Sequence, residues 1–270
     1  MQLNLQTVAD IIEETAREEI LPRFRQLSEG DVREKSPGDL VTVADEAAER
    51  LLERRLGDLR PGSLVLGEEA AARDTAVLEY LQDARDVWVV DPVDGTGNFA
   101  TGRAVFAVMV ALVRRGETLA AWIYLPVTGE MVMAEHGSGA WLGGTRLRSA
   151  APEIEVSAMR GTLHYNQFGT RQIARQVEKR RGRLETVKSL RCAGAEYVRL
   201  AKAQAHFSLF TKLAPWDHAP GTLIFTEAGG IARLLNGEFY APGTARGDGL
   251  LLAPDDESWA RLYRTLFGDA

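Results

Sequence analysis

The sequence predicts a layered α/β protein, with an α+β first half, on three observations. Amphipathic helical stripes open the chain. Two short apolar runs, Leu64–Leu66 and Val87–Val90, each stop at acidic residues, as buried strands delivering side chains to a site would. From about Val156 onward, strand and helix patterns alternate, the rhythm of sheets packed against helices.

In chain order, Leu5, Val8, Ile11, Ile12, Ala16 and Ile20 recur at helical spacing until Pro22 breaks the pattern. Glu34 to Asp39 is rich in turn formers and reads as a loop. Thr42 then precedes a second stripe, Ala44, Ala47, Ala48, Leu51, Leu52 and Leu56, ending near Gly57. After the two acid-tipped runs, Val105–Val113, Leu119–Leu125 and Glu130–Glu135 are rich in strand formers. Arg115-Gly116 and Thr128-Gly129 punctuate them, predicting an antiparallel meander. Strands are expected at Gly161–His164, Leu184–Val187 and His206–Phe210, and helices at Thr170–Val177, Ala193–Ala203 and Ala219–Ala228, the last stopped by Gly229-Gly230. No element is assigned beyond that point. A boundary near residue 145 would divide an N-terminal α+β half, 1–145, from a C-terminal α/β half, 146–270.

Composition bounds function. A net charge of −6 argues against a broad nucleic-acid surface, which needs clustered Lys and Arg, but leaves room for a small anionic substrate if metal ions supply positive charge. The basic run Arg171 to Arg183 reads as the solvated face of a helix. With Cys192 as the single cysteine, an internal disulfide and a thiolate metal cage are excluded, and a reducing, cytoplasmic setting is expected. Met1 to Asp10 lacks a basic stretch followed by an apolar one, and no apolar run reaches about 18 residues, so neither secretion nor a membrane span is expected.

The chemistry concentrates in Asp91-Pro92-Val93-Asp94-Gly95-Thr96-Gly97-Asn98-Phe99. Two carboxylates three residues apart on a turn can point into one site, and oxygen ligands suit Mg²⁺. Gly95 and Gly97 would permit close backbone approach, and the amides of Gly95 and Thr96 would cradle a phosphate oxygen if a helix begins there. Taken alone, such Asp-Pro and Asp-Gly dipeptides also make ordinary surface turns. Glu68 and Glu69, at another strand end, tip the balance: acids massed in an interior repel one another unless protonated or bridged by cations. Asp217 adds a further acid at the mouth of a helix, where it also suits a capping role. Among the remaining residues, His218 reads as helix surface or as support for the site, and Cys192 as a small packing residue.

Taken together, Gly67-Glu68-Glu69, Asp91 through Phe99, Trp216-Asp217 with Gly221, and Glu227-Ala228-Gly229-Gly230 resemble the inositol monophosphatase family of lithium-sensitive, magnesium-dependent phosphatases. The likeness reaches upstream to Lys35-Ser36-Pro37, Asp39 through Thr42, and Asp45. It implies an alternating α-β-α-β-α sandwich and hydrolysis of a small phosphate monoester by water, in line, with two or three Mg²⁺ ions per site. Glu68, Asp91 and the Val93 carbonyl match the family's first metal site, and Asp91, Asp94 and Asp217 its second. Glu68 and Thr96 match the pair that holds the attacking water, with Asp45 orienting the threonine hydroxyl. Asp45 and Thr42 also have capping-box spacing. Asp94, Gly95, Thr96, Ala193 and Asp217 are the expected substrate contacts, Lys35 falls on a loop that closes over the metals in relatives, and a homodimer is common. Inositol monophosphate is the leading substrate. Phe210, however, stands where inositol-active relatives place an acid, with Lys212 two residues on as a partner for a second phosphate or a carboxylate. Phosphatases for fructose 1,6-bisphosphate, 3′-phosphoadenosine 5′-phosphate or histidinol phosphate are therefore the alternatives, and a non-catalytic regulatory binding protein a further one.

Overall fold

The computed structural model describes residues 4–149, 155–165, 171–243 and 249–268. Helix α1 (Leu5–Thr15) leads through a π turn into a short 3-10 segment at Leu21–Arg23. There follow a hairpin of β1 (Val32–Ser36) and β2 (Asp39–Thr42), helix α2 (Val43–Leu59), β3 (Leu64–Gly67), α3 (Glu68–Arg73), β4 (Val87–Asp94) and α4 (Thr96–Ala100). The meander consists of β5 (Ala107–Arg114), β6 (Glu117–Leu125), β7 (Glu130–Glu135), β8 (Gly139–Leu142) and β9 (Thr145–Arg146). The remainder is β10 (Arg160–His164), α5 (Arg171–Arg180), β11 (Glu185–Thr186), α6 (Ala193–Ala201), β12 (Phe207–Phe210), α7 (Pro215–Glu227), β13 (Ile231–Leu234), β14 (Leu250–Ala253) and α8 (Asp256–Phe267).

Strands β3 to β9 form a seven-stranded sheet in sequence order, antiparallel except for the β3–β4 pair. A five-stranded sheet runs β11-β10-β12-β14-β13. Side-chain alternation along the strands separates the cores. Trp88, Val90, Val108, Val110 and Trp122 face α1 and α2, burying Ile12, Ala48 and Leu52. Ala107, Met109, Ala121 and Ile123 point the other way, onto Tyr197 and Leu200 of α6 and Ile224 of α7. The far side of those helices meets Phe210, Leu250 and Leu252 of the second sheet, whose outer residues Leu209 and Leu251 pack beneath α5 and α8 through Val177, Trp259 and Leu262. The layers are therefore α-β-α-β-α, with α6 and α7 as the shared middle layer. The line near residue 145 falls within β9, and the core around α6 and α7 draws residues from both sides of it.

Several local expectations change. Glu34 to Asp39 is not a loop: most of it belongs to the β1–β2 hairpin. Helix α7 begins at Pro215, close to Asp217 but four residues before Ala219, because Pro220 is accommodated inside it, and its N-cap is Ala214 rather than Asp217. The strand expected around Leu184–Val187 is a two-residue edge, Glu185–Thr186, and the helix expected from Thr170 begins among the described residues at Arg171, Thr170 itself lying outside them. No helix among the described residues is long and apolar enough to cross a membrane.

Candidate metal and phosphate site

Parallel pairing of β3 and β4 sets Gly67 opposite Val90. Glu68, the first residue of α3, and Asp91, the next residue of β4, consequently emerge side by side. Strand β4 then bulges between Asp91 and Asp94, delivering the second aspartate from the same turn, and α7 carries Asp217 in its first helical turn. One carboxylate oxygen from each of Asp91, Asp94 and Asp217 lies within 4.8 Å of the others. Glu68, Val93, Gly95, Thr96 and Ala193 line the same cavity, about 470 Å³ in volume.

Each acid has a fixed position. Asp91 Oδ1 accepts the Val93 N–H at 3.1 Å. Asp94 sits on the N-terminus of α6, taking the Ala193 and Gly194 amides at 3.1 and 2.6 Å and the Cys192 thiol at 3.0 Å. The Ala193 N–H, expected to face substrate, is thus engaged by Asp94. Cys192 is more than packing: it caps α6 and contacts a candidate ligand, and burial pushes its thiol well above the usual range. Gly95 has φ +87°, and a Cβ there would come within 3.2 Å of Cys192 Cβ, so glycine is required. Gly97 is not: it has open space and no left-handed φ.

Burial and mutual repulsion raise the affinity of these acids for protons. Burial, then Glu68, Asp94 and Asp217, holds Asp91 well above the carboxylate range, and burial, then Asp94 and Glu68, lifts Asp217 to about 7. Such a cluster is unfavourable without positive charge. Its oxygen-only donor set fits a hard divalent cation such as Mg²⁺.

Around the acids, Asp45 is 1% exposed and serves two sites at once. It closes the capping box of α2 by accepting the Thr42 N–H at 2.9 Å, and its other oxygen accepts the Thr96 hydroxyl at 3.0 Å. That hydroxyl is also 3.0 Å from the Val93 carbonyl. Lys35, expected on a loop, projects from β1 to bond Glu68 at 2.7 Å and Glu69 at 2.9 Å.

A family model for the inositol monophosphatase family matches residues 4–266. The chain belongs to the inositol monophosphatase family. The chain is therefore a phosphoric monoester hydrolase of a metal-dependent family, and the acidic cluster is suited to holding metal. It is 36% identical over 209 residues to inositol-1-monophosphatase of Rhizobium meliloti, covering 77% of this chain and 76% of that one. A Thermotoga maritima protein named fructose-1,6-bisphosphatase/inositol-1-monophosphatase is 30% identical over 207 residues, 76% of each chain. The crystal structure of the extragenic suppressor protein SuhB from Bartonella henselae matches with a TM-score of 0.80 at 25% identity, covering 98% of this chain and all of that one.

Within this inositol monophosphatase family chain, the wall facing the acids is aromatic and cationic. Phe210 stacks between His164 and Tyr197, with ring centroids at 4.7 and 5.7 Å. His164, Phe210, Arg191 and Lys212 all line the cavity. His218 is not on a helix surface. It is buried, bonded to the Tyr197 hydroxyl at 2.8 Å and the Lys212 carbonyl at 2.7 Å, and burial lowers it to a pKa of about 4, leaving it neutral near pH 7.

Two supporting residues escape the motifs. Glu49 accepts the Glu69 and Ala70 amides at 2.7 and 2.9 Å, anchoring the start of α3 and hence Glu68. Its spacing from Asp45, one helical turn along α2, is the signal that marks it. Asn98 Nδ2 donates to the carbonyls of Val105, Leu190 and Arg191, tying α4 to two loops beside Asp94. Its partners lie up to 93 residues away, so no local pattern marks it.

Proposed function

We propose that the chain hydrolyses a small phosphate monoester, with inositol monophosphate the leading substrate, in a site holding two or three Mg²⁺ ions. The observation that carries this reading is the convergence of Asp91, Asp94 and Asp217, buried and mutually repelling, in one cavity with Glu68 and Thr96. Glu68, Asp91 and the Val93 carbonyl would hold one ion, and Asp91, Asp94 and Asp217 another. When bound, the ions would neutralise the phosphate and acidify the attacking water. The protein's own groups do the rest. Asp45 fixes the Thr96 hydroxyl, Thr96 and Glu68 hold the water in line with the ester bond, and the Gly95–Thr96 turn supports the phosphate. Asp94, lodged on the α6 amides, joins the second half of the chain to the site.

The aromatic wall favours a second reading. A ring stack with Lys212 and Arg191 beside it suits a leaving group carrying a flat ring and a second phosphate, as in 3′-phosphoadenosine 5′-phosphate, better than a ring of hydroxyls. Phosphate release from a panel of esters, with and without Mg²⁺, tests both readings. Magnesium-dependent release that Asp217→Asn abolishes supports the phosphatase, and the preferred ester selects the substrate. No release from any ester by folded protein would overturn it in favour of a binding role.

A further inference from the structure

At the opposite end of the first sheet, the loops entering β3 and β4 and the turn joining β5 to β6 enclose a cavity of about 760 Å³, larger than the one holding the carboxylates. Four arginines line it: Arg60, Arg85, Arg114 and Arg115. Their arrangement is built rather than scattered. Asp86, only 9% exposed, accepts from Arg60 on one oxygen and from Arg114 on the other, at 2.7 Å from Arg114 Nε. One buried carboxylate thereby fixes two guanidiniums, each with further N–H groups to donate. Arg85 is held by Asp83 at 2.8 Å. Four guanidiniums against two carboxylates leave two positive charges in one hollow of a chain whose net charge is −6.

Arg115 makes no ion pair among the described residues, and its backbone is left-handed, with φ +52°. Glycine or asparagine would occupy that turn more easily, so local conformation does not account for an arginine there. The first turn of α1 borders the same cavity through Asn4 and Thr7, with the Gln6 and Thr7 amides already capped by Asn4 Oδ1. Leu59 and Pro61 supply an apolar stretch of wall beside the charges. The five residues from Asp86 to Asp91 span roughly 16 Å at strand rise, so this cavity is separate from the acidic one.

We propose that this cavity binds a compound carrying two adjoining phosphate groups, such as a nucleoside diphosphate, through Arg114, Arg115 and Arg85, with its uncharged part against Leu59 and Pro61. Bidentate guanidiniums are well suited to phosphate oxygens. The site does not depend on the phosphatase reading.

The test is calorimetric titration of chelator-treated protein with ADP and with inorganic pyrophosphate at low salt. Without metal, the carboxylate cluster repels anions, so binding reports on the arginine cavity. Native protein is expected to bind one equivalent of either probe, more weakly as salt rises. Arg115→Gly removes a cation while placing glycine where the backbone favours it. It should weaken binding tenfold or more, with an unchanged or raised melting temperature and unaltered magnesium-dependent release of phosphate from β-glycerophosphate. ADP binding more tightly than pyrophosphate assigns the apolar wall to a nucleoside; equal affinities assign the site to free pyrophosphate. Absence of binding to native protein up to millimolar probe, or native-like binding by Arg115→Gly, would overturn the proposal.

Discussion

Asp91 is raised by burial and by Glu68, Asp94 and Asp217, and the proposed function gives it a place in both metal sites. Asp91→Asn is accordingly expected to lower turnover by at least roughly 100-fold. It should leave the circular dichroism spectrum and the metal-free melting temperature intact, because it relieves repulsion. Activity within tenfold of native would sink that shared role. His164 yields a pH prediction. Burial, then Arg199, lowers it from 6.5 to about 4, and its ring nitrogen stays 3.8 Å from Glu196 without bonding it. Between those pH values the unfolded chain takes up a proton that the folded one refuses, so stability is lost as pH falls below about 6.5. His164→Phe keeps the ring and removes the titration. Urea unfolding at pH 7 and pH 5 should show the native stability difference shrinking by about 2 kcal/mol in this variant. The acids themselves were legible because short motifs name them. The His164–Phe210–Tyr197 stack was not, since its rings come from β10, β12 and α6 and meet only through the tertiary fold.

At the level of elements, α6 and α7 must approach closely for Asp94 and Asp217 to share a site. Gly221 makes that possible: a Cβ there would sit 2.1 Å from Tyr197 Cδ2. Gly221→Ala should cost about 1–3 kcal/mol through overpacking and lower the melting temperature by several degrees. Because Asp217 lies one turn upstream, magnesium-dependent turnover should fall in the same samples. A variant that melts like native and turns over normally would show that the helices have room to part. The acid-tipped strands β3 and β4 were readable because parallel, doubly buried strands appear as continuous apolar runs. The β1–β2 hairpin was not, because Val32–Ser36 is mostly charged and its burial pattern shows no alternation. Past Gly230 the signals are ordinary: Leu250–Leu252 is an apolar run, and Trp259, Leu262 and Leu266 share a face of α8.

For the molecule as a whole, stability and cation binding are linked. A cation that binds the folded cluster and not the unfolded chain adds about 2.7 kcal/mol at a hundred times its dissociation constant, equivalent to roughly 5–10 °C in melting temperature. Mg²⁺ added to chelator-treated protein should produce such a rise, and Asp91→Asn should show little of it. An equal rise in both proteins would place the stabilising ion elsewhere. The five-layer architecture was readable only through family resemblance, because alternating elements alone do not reveal that one helical layer serves two sheets. That shared layer bears on how the chain is made. The seven-stranded sheet is complete in sequence at Arg146, but the helices that cover its second face end at Glu227. At about 5–20 residues per second, a ribosome needs roughly 4–16 seconds to synthesise the intervening stretch. Until α6 and α7 are made, Ala107, Met109, Ala121 and Ile123 lack the helices that cover them, so the nascent sheet presents an apolar face of the kind that chaperones exist to shield.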